Sequence, residues 1–110
     1  MDRRVEVLKA LSDKNRLLIL DMLSCGEMCG CDIMNGLHLT QPTISHHMKI
    51  LVKSGVVIGR KRGKWMNYSI DRDIIVDLKK YLDHITMDKE DCICERKPSV
   101  CKHIRKNMFQ

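Results

Sequence analysis

No stretch of this 110-residue chain approaches the roughly twenty consecutive apolar residues that a membrane-spanning helix needs. The opening Met1-Asp2-Arg3-Arg4 lacks the apolar core of a signal peptide, so the protein is expected in the cytoplasm. Catalytic signatures are missing as well. There is no G-x-S-x-G elbow, no phosphate-binding loop and no carboxylate pair of recognisable spacing, and an enzyme is not expected. Internal repeats are absent. Aromatic residues make up only 4% of the chain, whereas the eight methionines read as core filling. The length excludes two cores of ordinary size and allows one modest one.

What the chain does have is positive charge and cysteine. Twenty Lys and Arg against fourteen Asp and Glu give a net charge of +6. The excess gathers in Arg60-Lys61-Arg62-Gly63-Lys64 and in the tail over residues 96–106, which favours nucleic acid over a membrane as the polyanionic partner. Six cysteines in a reducing compartment do not make a disulfide framework, so metal binding or redox chemistry is their expected use. Thiolates select soft ions such as Cu(I), Zn(II), Cd(II), Pb(II) or As(III).

Val5, Leu8 and Leu11 share one face of a short first helix, and Ser12 or Asp13 offers an N-cap for a second over residues 15–23. Ser24-Cys25-Gly26 ends it, with Gly26 expected as a left-handed cap, and a short third helix follows over roughly residues 31–37. The fourth helix is the best defined: Thr40 can cap it, Pro42 is tolerated in its first turn and Gly55 closes it. Ile44, Met48, Leu51 and Val52 repeat at the spacing of a buried stripe, while Ser45, His46, Lys49 and Lys53 fall on the opposite face. Residues 56–60 and 65–70 read as two strands joined by a turn containing Gly63, a basic hairpin. After Asp71, the residues Ile74, Ile75, Leu78, Tyr81, Leu82 and Ile85 trace a fifth helix ending near Thr86. So small a core leaves that stripe uncovered, and the first and fifth helices are expected to bury their counterparts in a twofold homodimer. The expected division is a domain over 1–87 and a charged tail over 88–110 that carries Cys92, Cys94 and Cys101.

Helix, turn, helix, basic hairpin is the order of a winged helix-turn-helix, whose second helix enters the major groove while the wing touches backbone or minor groove. Four segments sharpen that reading: Ala10-Leu11-Ser12-Asp13-Lys14-Asn15-Arg16, Glu27-Met28-Cys29-Gly30-Cys31-Asp32, Leu39-Thr40-Gln41-Pro42-Thr43-Ile44-Ser45-His46-His47-Met48 and Gly63-Lys64-Trp65-Met66-Asn67-Tyr68. In that order they resemble the opening signature, the ELCVCD metal box, the recognition helix and the wing of the ArsR/SmtB family of metal-responsive repressors, over roughly residues 5–85. The resemblance implies a mainly α (α+β) winged helix-turn-helix homodimer with about five helices and a two-stranded hairpin wing. It implies a repressor that binds double-stranded operator DNA and is released by thiolate capture of an ion. It further implies that Gln41, Thr43, Ser45 and His46 approach bases or phosphates, with Lys49, Arg60, Arg62 and Lys64 on the backbone.

Cys29 and Cys31 pose a geometric problem, because residues two apart on a regular helix point to nearly opposite sides. The helix must begin late or be distorted. Gly30 would allow a bend, and a helix N-terminus would lower the thiol pKa. In arsenite-responsive relatives a third cysteine lies three positions after the second, but here that position is Met34. The third thiolate is expected from Cys92, Cys94 or Cys101, of the same protomer or its partner, with Cys25 as a further candidate; a site wholly within the tail cysteines also fits the family. As(III) or Sb(III) is the first choice of inducer, since trigonal ions take three thiolates, followed by Cd(II), Pb(II) or Zn(II). The same thiols could instead serve a redox repressor, pairing Cys29 or Cys31 with a tail cysteine, or hold structural zinc. A fifth-helix zinc site of the family is reproduced in spacing by Asp71, Asp73 and His84, but it lacks its first histidine and ends on Met87, so it reads as degenerate.

Overall fold

Asp2 opens the first helix by accepting a hydrogen bond from the Arg4 N–H, and α1 (Arg3–Leu11) follows. Asp13 repeats the device for α2 (Lys14–Leu23), its carboxylate accepting from the Arg16 N–H at 3.1 Å. The structure, a computed structural model, describes residues 2–87. Next come β1 (Met28–Cys29), α3 (Gly30–Leu37), α4 (Gln41–Ser54), β2 (Val57–Arg62), β3 (Trp65–Ile70) and α5 (Arg72–Thr86). The chain divides into two compact units, one ending at Lys79 and the other beginning at Lys80. The expected tail and its cysteines Cys92, Cys94 and Cys101 lie outside the described residues.

Five helices stand where the periodicity puts them, but the sheet differs. The expected wing has two strands; the observed sheet has three, in the order β1-β3-β2 and antiparallel throughout. A two-residue strand carries no periodicity, so Met28 and Cys29 gave no signal of their pairing with Tyr68 and Asn67. Helix ends also shift. Thr40 occupies the N-cap of α4 without bonding its backbone, because its hydroxyl lies 2.9 Å from that of Thr43. Gly26 takes a positive φ of 143° but stands two residues beyond the right-handed cap Ser24. His38, which nothing in the sequence singled out, adopts the left-handed conformation that ends α3.

The core gathers Val7 and Ala10 from α1, Ile19 and Leu23 from α2, Ile33 from α3, and Ile44, Met48 and Leu51 from α4, with Val56, Val57 and Leu78. Burying a Val, Leu, Ile or Met side chain contributes roughly 1.5 to 3 kcal/mol, so this set supplies the main drive for holding α4 against the other helices. Val52, expected in the buried stripe, is exposed. His47 takes a buried place on α4 instead, only 8% exposed. Its Nδ1 lies 3.2 Å from Arg16 Nη1 and 3.9 Å from the Asp13 carboxylate, and Arg16 also donates to the carbonyl of Ala10. Arg16 and Asp13 thus tie the end of α1, the start of α2 and the middle of α4 at one joint.

Candidate nucleic-acid interface and thiol site

α3 and α4 form the helix-turn-helix, and α4 turns a polar face outward. Gln41, Ser45, His46 and Lys49 are exposed along it, and Thr43 is half-buried. The hairpin of β2 and β3 turns through Gly63 and Lys64, with Gly63 at a φ of 63°, and presents Arg60, Arg62 and Lys64 to solvent. A positive φ at the first of two turn positions suits glycine and matches the right-handed twist of the flanking strands. Arg62 is not a free cation: it lies 3.5 Å from the Glu27 carboxylate, next to β1. A cleft of about 440 Å³ separates the wing from the helices, and Gln41, Ser45 and Lys64 are among the residues that line it.

Of the two ways in which cysteines at this spacing could meet, a late helix start or a distorted helix, the structure shows the first: α3 begins only after Cys29. Cys29 is the N-cap of α3, with φ −80° and ψ 160°, and it still belongs to β1, so its side chain is not placed by helical geometry. Gly30 needs no unusual conformation to achieve this. The sulfur atoms of Cys29 and Cys31 and a carboxylate oxygen of Asp32 all lie within 4.8 Å of one another, the one cluster of this kind among the described residues. Cys25 is exposed and not part of it. The expected lowering of the thiol pKa is not observed at Cys29. A hydrogen bond with the Cys31 thiol pushes the Cys29 thiol above its ordinary value, against the opposing effect of the Asp32 N–H, which donates to Cys29 Sγ at 3.4 Å. Asp71, drawn into the degenerate zinc pattern by its spacing, instead caps α5, accepting from the N–H groups of Asp73 and Ile74.

Residues 13–58, which span α2 to the start of β2, match the family model described as bacterial regulatory protein, arsR family. The chain is also 44% identical over 89 residues to an arsenical resistance operon repressor from Staphylococcus aureus, covering 81% of this chain and 86% of that one. The chain belongs to the arsR family. A second relative, a cadmium resistance transcriptional regulatory protein CadC homolog from Staphylococcus aureus, is 40% identical over 74 residues, 66% of this chain and 61% of that one. Among solved structures, a homodimeric winged helix-turn-helix DNA-binding domain from Mycobacterium bovis is 28% identical, with a TM-score of 0.63 over 80% of this chain and 89% of that one. This arsR-family protein is accordingly a DNA-binding transcriptional regulator with a winged helix-turn-helix fold, and not an enzyme. No helix among its described residues is long and apolar enough to cross a membrane.

Sequence reasoning missed three residues that position the interface of this arsR-family regulator. His47 anchors α4 from within, beside the exposed His46. Arg3 donates to the carbonyls of Lys53 and Ser54, at 3.3 and 2.9 Å, and so caps the last turn of α4 from α1. Met28 joins the thiol site to the wing through β1. The capping aspartates were open to discovery by residue type; these three depend on partners distant in sequence.

Proposed function

We propose that this chain is a transcriptional repressor that holds its operator as a homodimer and lets go when thiolates capture a soft metalloid, As(III) or Sb(III). The observation that carries the reading is the Cys29–Cys31 pair at the junction of β1 and α3, with β1 hydrogen-bonded to the wing strand β3. Cys29 and Cys31 supply two thiolates, and a tail cysteine, Cys92, Cys94 or Cys101, supplies the third. Each As–S or Sb–S bond forms as a thiol proton leaves with a hydroxide of the trihydroxide, as water. Cys29 sits in β1 and Cys31 in the first turn of α3, so a centre bound by both sulfurs acts on both elements, and the pairing of Met28 with Tyr68 and of Cys29 with Asn67 links them to the wing. The Glu27–Arg62 ion pair follows the same strand.

On the DNA side, Gln41, Thr43, Ser45 and His46 are assigned to bases and phosphates in the major groove, and Lys49, Arg60, Arg62 and Lys64 to the backbone. Dimerisation is assigned to α1 and α5, where Val5, Leu8, Val76, Leu82 and Ile85 are large apolar side chains left exposed in one protomer. The homodimeric state of the Mycobacterium bovis domain supports a dimer, and the exposed apolar side chains support these two helices as its seam. A second reading takes Cd(II) as the inducer. It is favoured by the similarity to the cadmium-resistance regulator and by the Asp32 carboxylate beside the two sulfurs, which gives the site a third donor of harder character.

Fluorescence anisotropy of the reduced protein on its promoter DNA tests both. As(III) or Sb(III) is expected to weaken binding by roughly 5 to 150 fold, the range that a coupling of about 1 to 3 kcal/mol produces. Changing Cys29 and Cys31 to serine abolishes the effect. Release by Cd(II) alone selects the second reading, release by peroxide alone makes the protein a redox sensor, and absence of any DNA binding removes the repressor assignment.

A further inference from the structure

Trp65 is the single tryptophan of the chain and, at 60% exposure, the most exposed of the large apolar side chains among the described residues. It opens β3 directly after the turn through Gly63 and Lys64, and the ladder pairs it with Arg62 and pairs Asn67 with Arg60. Paired residues share a face of the sheet, and alternate residues along a strand return to it, so Trp65 lies on the face that carries Arg60 and Arg62. Val57 and Ile70 belong to the opposite face, which packs on the core. Met66, next in the chain, is on that face too, its Cε within 3.1 Å of where a Cβ at Gly59 would stand. Trp65 is thus an apolar ring set among cations at the tip of the wing, and its cross-strand partner Arg62 is drawn off to the Glu27 carboxylate. With Lys64 it also borders the cleft whose other wall includes Gln41 and Ser45 at the start of α4.

We propose that Trp65 is a DNA-contacting residue of the wing, its ring packed on the deoxyriboses that border the operator's minor groove. Phosphate oxygens satisfy Arg60 and Lys64, but they offer nothing to an indole ring, whose removal from water is favourable only against carbon. The carbon surface nearest those phosphates is the row of sugars to which they are attached. A duplex that receives α4 in its major groove places one strand between α4 and the wing, so a side chain on the wing's side of the cleft meets the adjacent minor groove. This contact rests on the operator-binding reading of α4 and the wing, and it adds to that reading a component of a different physical kind. Neutralising a phosphate releases counterions and is weakened by salt, whereas burying the ring releases none.

Because no other tryptophan is present, the emission of the full chain reports on Trp65 alone. Titration with promoter DNA is expected to move that emission to shorter wavelength and to protect it from acrylamide. Inorganic polyphosphate, which engages the cations but carries no sugar, is expected to leave it unchanged. In anisotropy titrations W65A is expected to weaken operator binding by at least about tenfold while keeping the native slope of log K against log salt, unlike R60A and K64A. W65F, which retains an aromatic ring, is expected to keep most of the native affinity, and circular dichroism verifies that W65A is folded. DNA binding without a change in emission, an equal change with polyphosphate, or a folded W65A that binds as tightly as the native chain overturns the proposal. A W65A slope flattened to that of R60A overturns it as well, since the ring would then act only by placing the cations. Absence of DNA binding by the native chain would overturn the repressor reading and this contact with it, whereas DNA binding that As(III) fails to release would overturn the metalloid reading and leave the contact standing.

Discussion

Arg3 acts at the far end of another helix. Its guanidinium donates to the carbonyls of Lys53 and Ser54, where α4 ends with unpaired acceptors and the negative end of its dipole. R3M keeps an apolar stem and removes the donors, and is expected to cost about 1 kcal/mol in urea denaturation. Asp13 makes a pH-dependent contribution. The Arg16 N–H, above all, holds its carboxyl below the usual carboxylate value, against a weaker opposing effect of desolvation. Because the folded pKa lies below the unfolded one, the stabilisation is complete above the unfolded carboxylate range and fades as pH falls through the folded value. The stability gap between the native chain and D13A is therefore expected to be widest near neutral pH and to close in acid; a series of denaturation curves against pH checks it, and a gap that persists in strong acid would contradict the capping role. Asp13 was legible because capping is a matter of residue type and local spacing. Arg3 was not, since its partners lie 50 and 51 residues along the chain.

At the scale of elements, the long helices were legible and the shortest strand was not. α4 and α5 carry apolar residues at helical spacing, and the core side chains Ile44, Met48, Leu51 and Leu78 fall on the predicted faces. Val52 departs because the stripe wrapped further round the helix than the core reaches, and His47 takes a buried position because Arg16 of α2 meets its Nδ1, with the Asp13 carboxylate nearby. β1 has two residues and exists only because β3 offers it an edge. That edge is the proposed route from thiols to wing, and M28P tests it, since proline removes the N–H and the flexibility that strand pairing needs. The variant is expected to bind As(III) and operator nearly as the native chain does, with the As(III)-induced loss of operator affinity much reduced in anisotropy titrations. Full release by M28P would show that the signal travels another way.

For the whole molecule, the reading of the basic wing predicts a strong salt dependence of operator binding. Each phosphate that a variant leaves unneutralised is expected to lower the slope of log K against log salt by about 0.9, so R60A and K64A should flatten it. R62A should do less, because Arg62 is already engaged with Glu27. Sedimentation at micromolar concentration is expected to show a dimer for the native chain and a monomer for I85E; a monomeric native chain would remove α5 from the interface. The sequence by itself determined the order of elements, the caps at Asp13 and Gly55, the basic hairpin and the arsR-family signatures, because each of these is written in residues close together in the chain. Only the tertiary structure decided that β1 joins the wing, that Arg3 and His47 hold α4 in place, and that Gln41, Ser45 and Trp65 border one cleft. Those depend on which surfaces meet once the apolar faces are buried, and burial is proportional to area without specifying which partner supplies it.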